Sequence, residues 1–146
     1  MKKNLIDKSN KYLANLGVEY IKLHNLHWNV VGLQFKAVHE YLESLYDSIA
    51  DVLDEVAEVI KMNGEYPKAS LKDYLENASI SELENKDYSI IESLQIVLKD
   101  LYELKNQALE IRSLGSEIDN YSFVNMVEDH LGNYDKSIWF IESMLK

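Results

Sequence analysis

Apolar residues fall at Val38, Leu42, Leu45, Ile49, Val52, Val56 and Ile60, the steps of three and four that keep side chains on one face of a helix. The pattern predicts a long helix over 36–62, stopped by Asn63-Gly64, with the only proline, Pro67, completing the break. An earlier stripe of Leu13, Leu16, Tyr20 and Leu23 predicts a first helix over 4–31. Ser70 three residues ahead of Asp73 reads as a cap for a short helix through Glu76, followed by a polar connection from Asn77 to Lys86. Asp87 and the Ser89-x-x-Glu92 box then open a third long helix, with Leu94, Val97, Leu98, Leu101, Leu104, Ala108 and Ile111 inward and Gly115 closing it. A fourth starts near Asp119 or Asn120 and carries Phe123, Val124, Val127, Leu131, Ile138, Ile141 and Leu145. No strand-type alternation, linker or internal repeat intrudes. The expectation is an all-α protein, one domain over 1–146, built as a four-helix bundle with a short extra helix between the second and third long ones.

Beside the oily stripe of the second helix runs a different one. His39, Glu43, Asp54 and Glu58 all lie within an arc of about 100°. At about 1.5 Å rise per residue, His39 and Asp54 stand roughly 22 Å apart, so no single metal ion touches both within one helix. If the helix pairs antiparallel with its own copy across a two-fold axis near Tyr46 or Asp47, His39 of one chain approaches Asp54 and Glu58 of the other. Such exchange is reciprocal, and each pair of chains gains two equivalent sites. His27 ends the stripe of the first helix, and the Gly32 break lets the chain turn back so that His27 can face His39. Two neutral imidazoles and two carboxylates suit iron, manganese or zinc. A pair of satisfied core histidines beside a solvated acidic edge is the competing reading, and spacing by itself leaves both open.

Composition narrows the function classes. Lys+Arg of 15 against Asp+Glu of 25 gives a formal charge of -10, a balance that attracts cations and repels phosphate backbones. Lys2, Lys3, Lys8 and Lys11 form only a short basic cluster, interrupted by Asp7 and merging with the first helix. DNA binding is therefore expected to be weak or absent. The lack of cysteine excludes disulfides, thiolate zinc sites and iron-sulfur clusters. No run approaches the roughly 18 apolar residues of a membrane span, and the lysine-bearing start lacks a signal-peptide core, so a cytoplasmic location is the default.

His27-Trp28, His39 twelve residues later, and then Asp54 and Glu58, set in HNLHWNVVG, F-x-x-x-H and DEVAE, resemble the ferroxidase signature of the Dps family, the miniferritins of the ferritin-like superfamily. The likeness continues through NGEYPKASLKDYLENASISE and DKSIW, covering most of the chain. The resemblance implies a ferritin-like bundle in which His27 and His39 of one subunit, with Asp54 and Glu58 of its two-fold mate, bind and oxidise Fe(II). Glu58 is placed to bridge two irons and Glu43 to hold a weaker second one, with zinc or manganese as substitutes. Hydrogen peroxide is the implied oxidant, and ferric mineral is implied to be stored in a hollow dodecamer, detoxifying iron under oxidative stress. Physical shielding of DNA and a purely interacting helical bundle are the alternatives.

Intramolecular di-iron bundles use Glu-x-x-His pairs, and this chain contains none. Asp51 and Glu55 are candidates for an acidic inner wall, or for a plain solvated face. The resemblance sets Trp28 and Trp139 near the iron site; His24 reads as an interface histidine, and His130 as a surface residue without a partner. Three departures stand out. Glu43 replaces a common Asp, Val59 stands where an arginine is frequent, and Tyr121 and Asn125 occupy positions where pore acids are usual, leaving Glu117 or Asp119 for iron entry.

Overall fold

Each apolar stripe becomes a buried seam. The computed structural model describes residues 1–146 as α1 (Lys2–Asn29), β1 (Val30–Val31), α2 (Phe35–Met62), α3 (Leu71–Asn77), β2 (Tyr88–Ser89), α4 (Ile90–Glu117) and α5 (Tyr121–Leu145). All seven stripe residues of α2 are buried, each stabilising the fold by about 1.5–3 kcal/mol. Ser70 and Ser89 cap as their spacing predicts: each side-chain oxygen accepts a backbone N–H at 3.1 Å, from Asp73 and Glu92. Such caps contribute about 1 kcal/mol each. No helix is long and apolar enough to cross a membrane.

Pairings fix the directions. Lys2 at the start of α1 donates to the carbonyl of Asn63 beyond the end of α2, while His27 and His39 meet at the opposite end, so α1 and α2 run antiparallel. Lys105–Asp135 and Arg112–Glu128 set α4 and α5 antiparallel. Lys8–Glu110 and Lys22–Asp100 do the same for α1 and α4. It follows that α2 and α4 are parallel, and the chain between them must travel the length of the bundle.

That traverse is fastened to α1. The Asn10 side-chain oxygen accepts the Lys68 N–H at 2.8 Å, and Tyr74 lies against the bare backbone of Gly17. Further along, the Asn15 amide oxygen accepts from the N–H groups of Ser79 and Ile80 at 2.8 and 3.0 Å. Asn25 donates to the Leu83 and Glu84 carbonyls. The polar connection is thus a strap whose backbone groups are satisfied by asparagines of one helix.

Three expectations need correction. The first helix ends at Asn29, because Val30-Val31 leave it in extended form and pair in parallel with Tyr88-Ser89, adding a strand pairing where none was expected. The third helix continues through Gly115 to Glu117. There the missing side chain matters for packing, since a Cβ on Gly115 would stand 3.0 Å from Val124 Cγ2 of α5. Leu98, Val124, Leu131 and Leu145 are half-buried at the seams.

Among the apolar layers lies a charged cluster that periodicity does not announce. Lys22 Nζ of α1 stands 2.8 Å from Asp100 Oδ2 of α4, both buried, and Glu19 is completely enclosed beside them. Neither Glu19 oxygen meets a hydrogen-bond donor. Burial, reinforced by Asp100, lifts the Glu19 carboxyl well above its ordinary range. The folded state therefore holds a proton that the unfolded chain releases. This group favours folding below its unfolded pKa, and the contribution is lost as pH rises through the folded one. Glu19→Gln, neutral at every pH, is expected to stabilise the protein by about 1–3 kcal/mol at neutral and alkaline pH and to have little effect in acid. Denaturant titrations of both proteins across that range measure the difference.

Candidate metal centre

The turn between α1 and α2 brings the two histidines together. Gly32 adopts φ 141° there, a backbone conformation in which an L side chain is strained. With the chain reversed, His27 Nδ1–H donates to the His39 carbonyl and His39 Nδ1–H donates to the His27 carbonyl, each at 2.7 Å. A carbonyl can only accept, so both rings carry their proton on Nδ1. Each neutral imidazole then keeps its lone pair on Nε2. The rings stack with centroids 3.7 Å apart and planes 11° off parallel. Hydrogen bonding at one ring nitrogen is the usual way to hold the other in place for a metal.

Glu43, one turn beyond His39, places Oε1 3.9 Å from His27 Nε2 while its side chain stays about half exposed. Tyr46 donates to the same oxygen at 3.4 Å. Its ring meets His27 edge-on at 5.3 Å and stacks on His24 at 3.7 Å. Phe35 covers His39 from the other side at 4.9 Å. His24 is anchored by an Nδ1–H bond to the Tyr20 carbonyl at 2.6 Å. Trp28 lies 5.4 Å from His24 and is 66% exposed, and Trp139 is 65% exposed.

The structure therefore gathers His27, His39 and Glu43. Asp54 and Glu58 remain exposed farther along α2, separated from the histidines as helix geometry requires. Within one chain no three His, Asp or Glu side chains surround a common point.

His130 corrects the sequence reading: it is 3% exposed, not a surface residue. Its ring joins Tyr12 of α1 to Glu55 of α2, both contacts at 3.0 Å. Glu55 is thereby tied to the interior, whereas Asp51 is free on the surface. Of the basic cluster, Lys2 is engaged at Asn63 and Lys8 at Glu110.

Comparison with known proteins first gives the class: the ferritin-like domain matches residues 6–146. Antigen TpF1 of Treponema pallidum is 33% identical over 142 residues, 97% of this chain and 80% of the relative. Its crystal structure superposes with a TM-score of 0.97, covering 99% of this chain and 92% of that one. DNA protection during starvation protein 2 of Bacillus anthracis is 37% identical, with 99% of each chain covered. A Vibrio cholerae Dps structure, described as a member of a broad superfamily of ferritin-like diiron-carboxylate proteins, is 27% identical with a TM-score of 0.94, covering 99% of this chain and 90% of that one. The chain belongs to the Dps family of ferritin-like proteins.

The crossed hydrogen bonds dictate one tautomer. Nitrogen-15 NMR of the metal-free protein is expected to find that the neutral forms of His27 and His39 carry their hydrogen on Nδ1. A neutral Nε2–H form of either ring would contradict the geometry.

Proposed function

We propose that this chain binds Fe(II) and oxidises it at sites divided between two-fold-related copies, then stores the ferric product inside a hollow dodecamer. One observation carries the reading: two imidazoles locked with Nε2 free, beside Glu43, form half of a ligand set with the rest out of reach on the same helix. The missing half is Asp54 and Glu58 of the partner subunit. Exposed Trp28, Val31, Leu33 and Phe35 next to the histidines offer apolar area for that neighbour.

In this site His27 and His39 supply neutral nitrogen donors, and Asp54 and Glu58 of the partner subunit supply charge that favours Fe(III) over Fe(II). Glu43 holds a second, weaker position. Iron is substrate and cargo here, oxidised by hydrogen peroxide in the sum of two Fe(II) and one peroxide to two Fe(III) and two hydroxides. Confining both reactants protects the surrounding cell, expected to be the cytoplasm, from radical chemistry. The charge of -10 suits collection of cations over contact with DNA.

The division of the site makes a specific demand. Anaerobic Fe(II) loading followed by peroxide is expected to give stoichiometric oxidation in the wild type and almost none in His39→Ala or Asp54→Ala. Co-assembling the two inactive variants in equal amounts rebuilds one intact site in each mixed pair, so about a quarter of the oxidation should return. No recovery in correctly folded mixed particles would place the ligands within single chains. The wild-type particle is expected near about 200 kDa by light scattering, against a chain of 17.0 kDa.

A further inference from the structure

Tyr12 is completely buried, yet its hydroxyl belongs to a hydrogen-bonded chain that reaches the protein surface. The directions in that chain are fixed from outside inward. Glu55 is half exposed on α2 and offers a carboxylate, so His130 of α5 donates Nε2–H to its Oε1 at 3.0 Å. The lone pair of neutral His130 is then on Nδ1, which takes the hydrogen of the Tyr12 O–H at 3.0 Å. With that hydrogen committed, Tyr12 oxygen accepts from Tyr134 O–H at 2.5 Å. Burial holds His130 below its ordinary value and both tyrosines above theirs. The histidine therefore stays a free base and the phenols stay protonated.

No other tyrosine has this surrounding. Tyr41 and Tyr88 donate to backbone carbonyls, and Tyr46 and Tyr102 donate to half-exposed or exposed carboxylates. Tyr12 alone directs its hydroxyl at an imidazole nitrogen. A buried phenol that lost an electron while keeping its proton would become an unpaired buried cation, at a cost of several kcal/mol. At Tyr12 the proton has a place to go. It moves to His130 Nδ1 as the electron leaves, and the imidazolium so formed is paired with Glu55.

We propose that Tyr12 is a proton-coupled redox site that lends one electron to an oxidant derived from hydrogen peroxide and recovers it from Fe(II). The proposal rests on the iron reading above and deepens it. Reducing peroxide to hydroxide takes two electrons, and a site holding one Fe(II) has one. That Fe(II) breaks the O–O bond, giving Fe(III), hydroxide and a hydroxyl radical equivalent. An electron from Tyr12 converts the radical equivalent to hydroxide. The phenolic O–H bond breaks with transfer of its proton to His130, leaving a phenoxyl radical. A second Fe(II) returns the electron, becoming Fe(III), and His130 returns the proton. The sum is again two Fe(II) and one peroxide to two Fe(III) and two hydroxides, with Tyr12 restored. Glu43 is the only acid beside the histidines within the chain, so a weakly held second iron makes such a loan useful.

Two measurements separate this from the iron reading. In the first, the metal-free assembled protein is oxidised by flash photolysis with a ruthenium sensitiser and followed by electron paramagnetic resonance. A long-lived tyrosyl signal is expected in the wild type and in Tyr134→Phe, and its loss in Tyr12→Phe. His130→Gln keeps the phenol but removes the base, so its radical should be lost as well; circular dichroism and particle size check that each variant folds. Absence of a wild-type tyrosyl signal, or an undiminished one in a folded Tyr12→Phe or His130→Gln protein, overturns the proposal. In the second, one Fe(II) per site and peroxide should raise the same radical, and further Fe(II) should quench it. Iron oxidation with no Tyr12-dependent radical overturns this proposal alone. Failure of iron oxidation, with the photochemical radical intact, overturns the functional reading and the iron cycle with it.

Discussion

A straight helix fixes the distances between its own residues, and α2 is where that rigidity decides most. It carries His39 and Glu43 near one end and Asp54 and Glu58 near the other, on one flank. About 22 Å of helix cannot be folded away to bring them around one ion. In the proposed site, completeness is therefore a property of the assembly. A single chain holds both imidazoles with Nδ1 donating but keeps Asp54 and Glu58 out of their reach, so the proposed ligand set closes only between copies.

The bundle interior holds two polar systems of different kinds. Lys22, Asp100 and Glu19 lock α1 against α4, with the Lys22 ammonium 2.8 Å from the Asp100 carboxylate and the Glu19 carboxyl kept neutral by its surroundings. Tyr12, Tyr134, His130 and Glu55 join α1, α5 and α2 through directed hydrogen bonds. Either system fits one alignment of the helices, and a shift of a turn would leave buried polar atoms unmet. A four-helix bundle made only of leucine-type contacts would tolerate several alignments. These groups choose among them.

What was legible in the sequence follows the range of the interaction. The inward face of α2 and the serine caps of α3 and α4 are local, within a few residues, and were readable. The meeting of His27 and His39 was readable because Gly32 marks the turn between them. Their crossed bonds were not, since backbone carbonyls leave no mark in a sequence. The pairing of Val30-Val31 with Tyr88-Ser89 depends on a strap that travels the whole bundle. His130, between Asp129 and Leu131, looked like a surface residue because its partners Tyr12 and Glu55 are 118 and 75 residues away. Gly115 read as a helix end; its actual role is to let Val124 approach.

The short parallel pairing has a mechanical outcome. Val30 follows His27 by three residues, and its partner Tyr88 immediately precedes Ser89, the capping residue of α4. Ile90 Cγ1 also presses on Gly32, 2.8 Å from where a Cβ would stand. The hinge that sets the spacing of the two imidazoles is thus clamped to the head of a different helix, reached by a strap lying along α1. The shape of the histidine turn therefore depends on residues about sixty positions away in the chain, held in place by the asparagines of α1 as well as by the two helices that the turn joins.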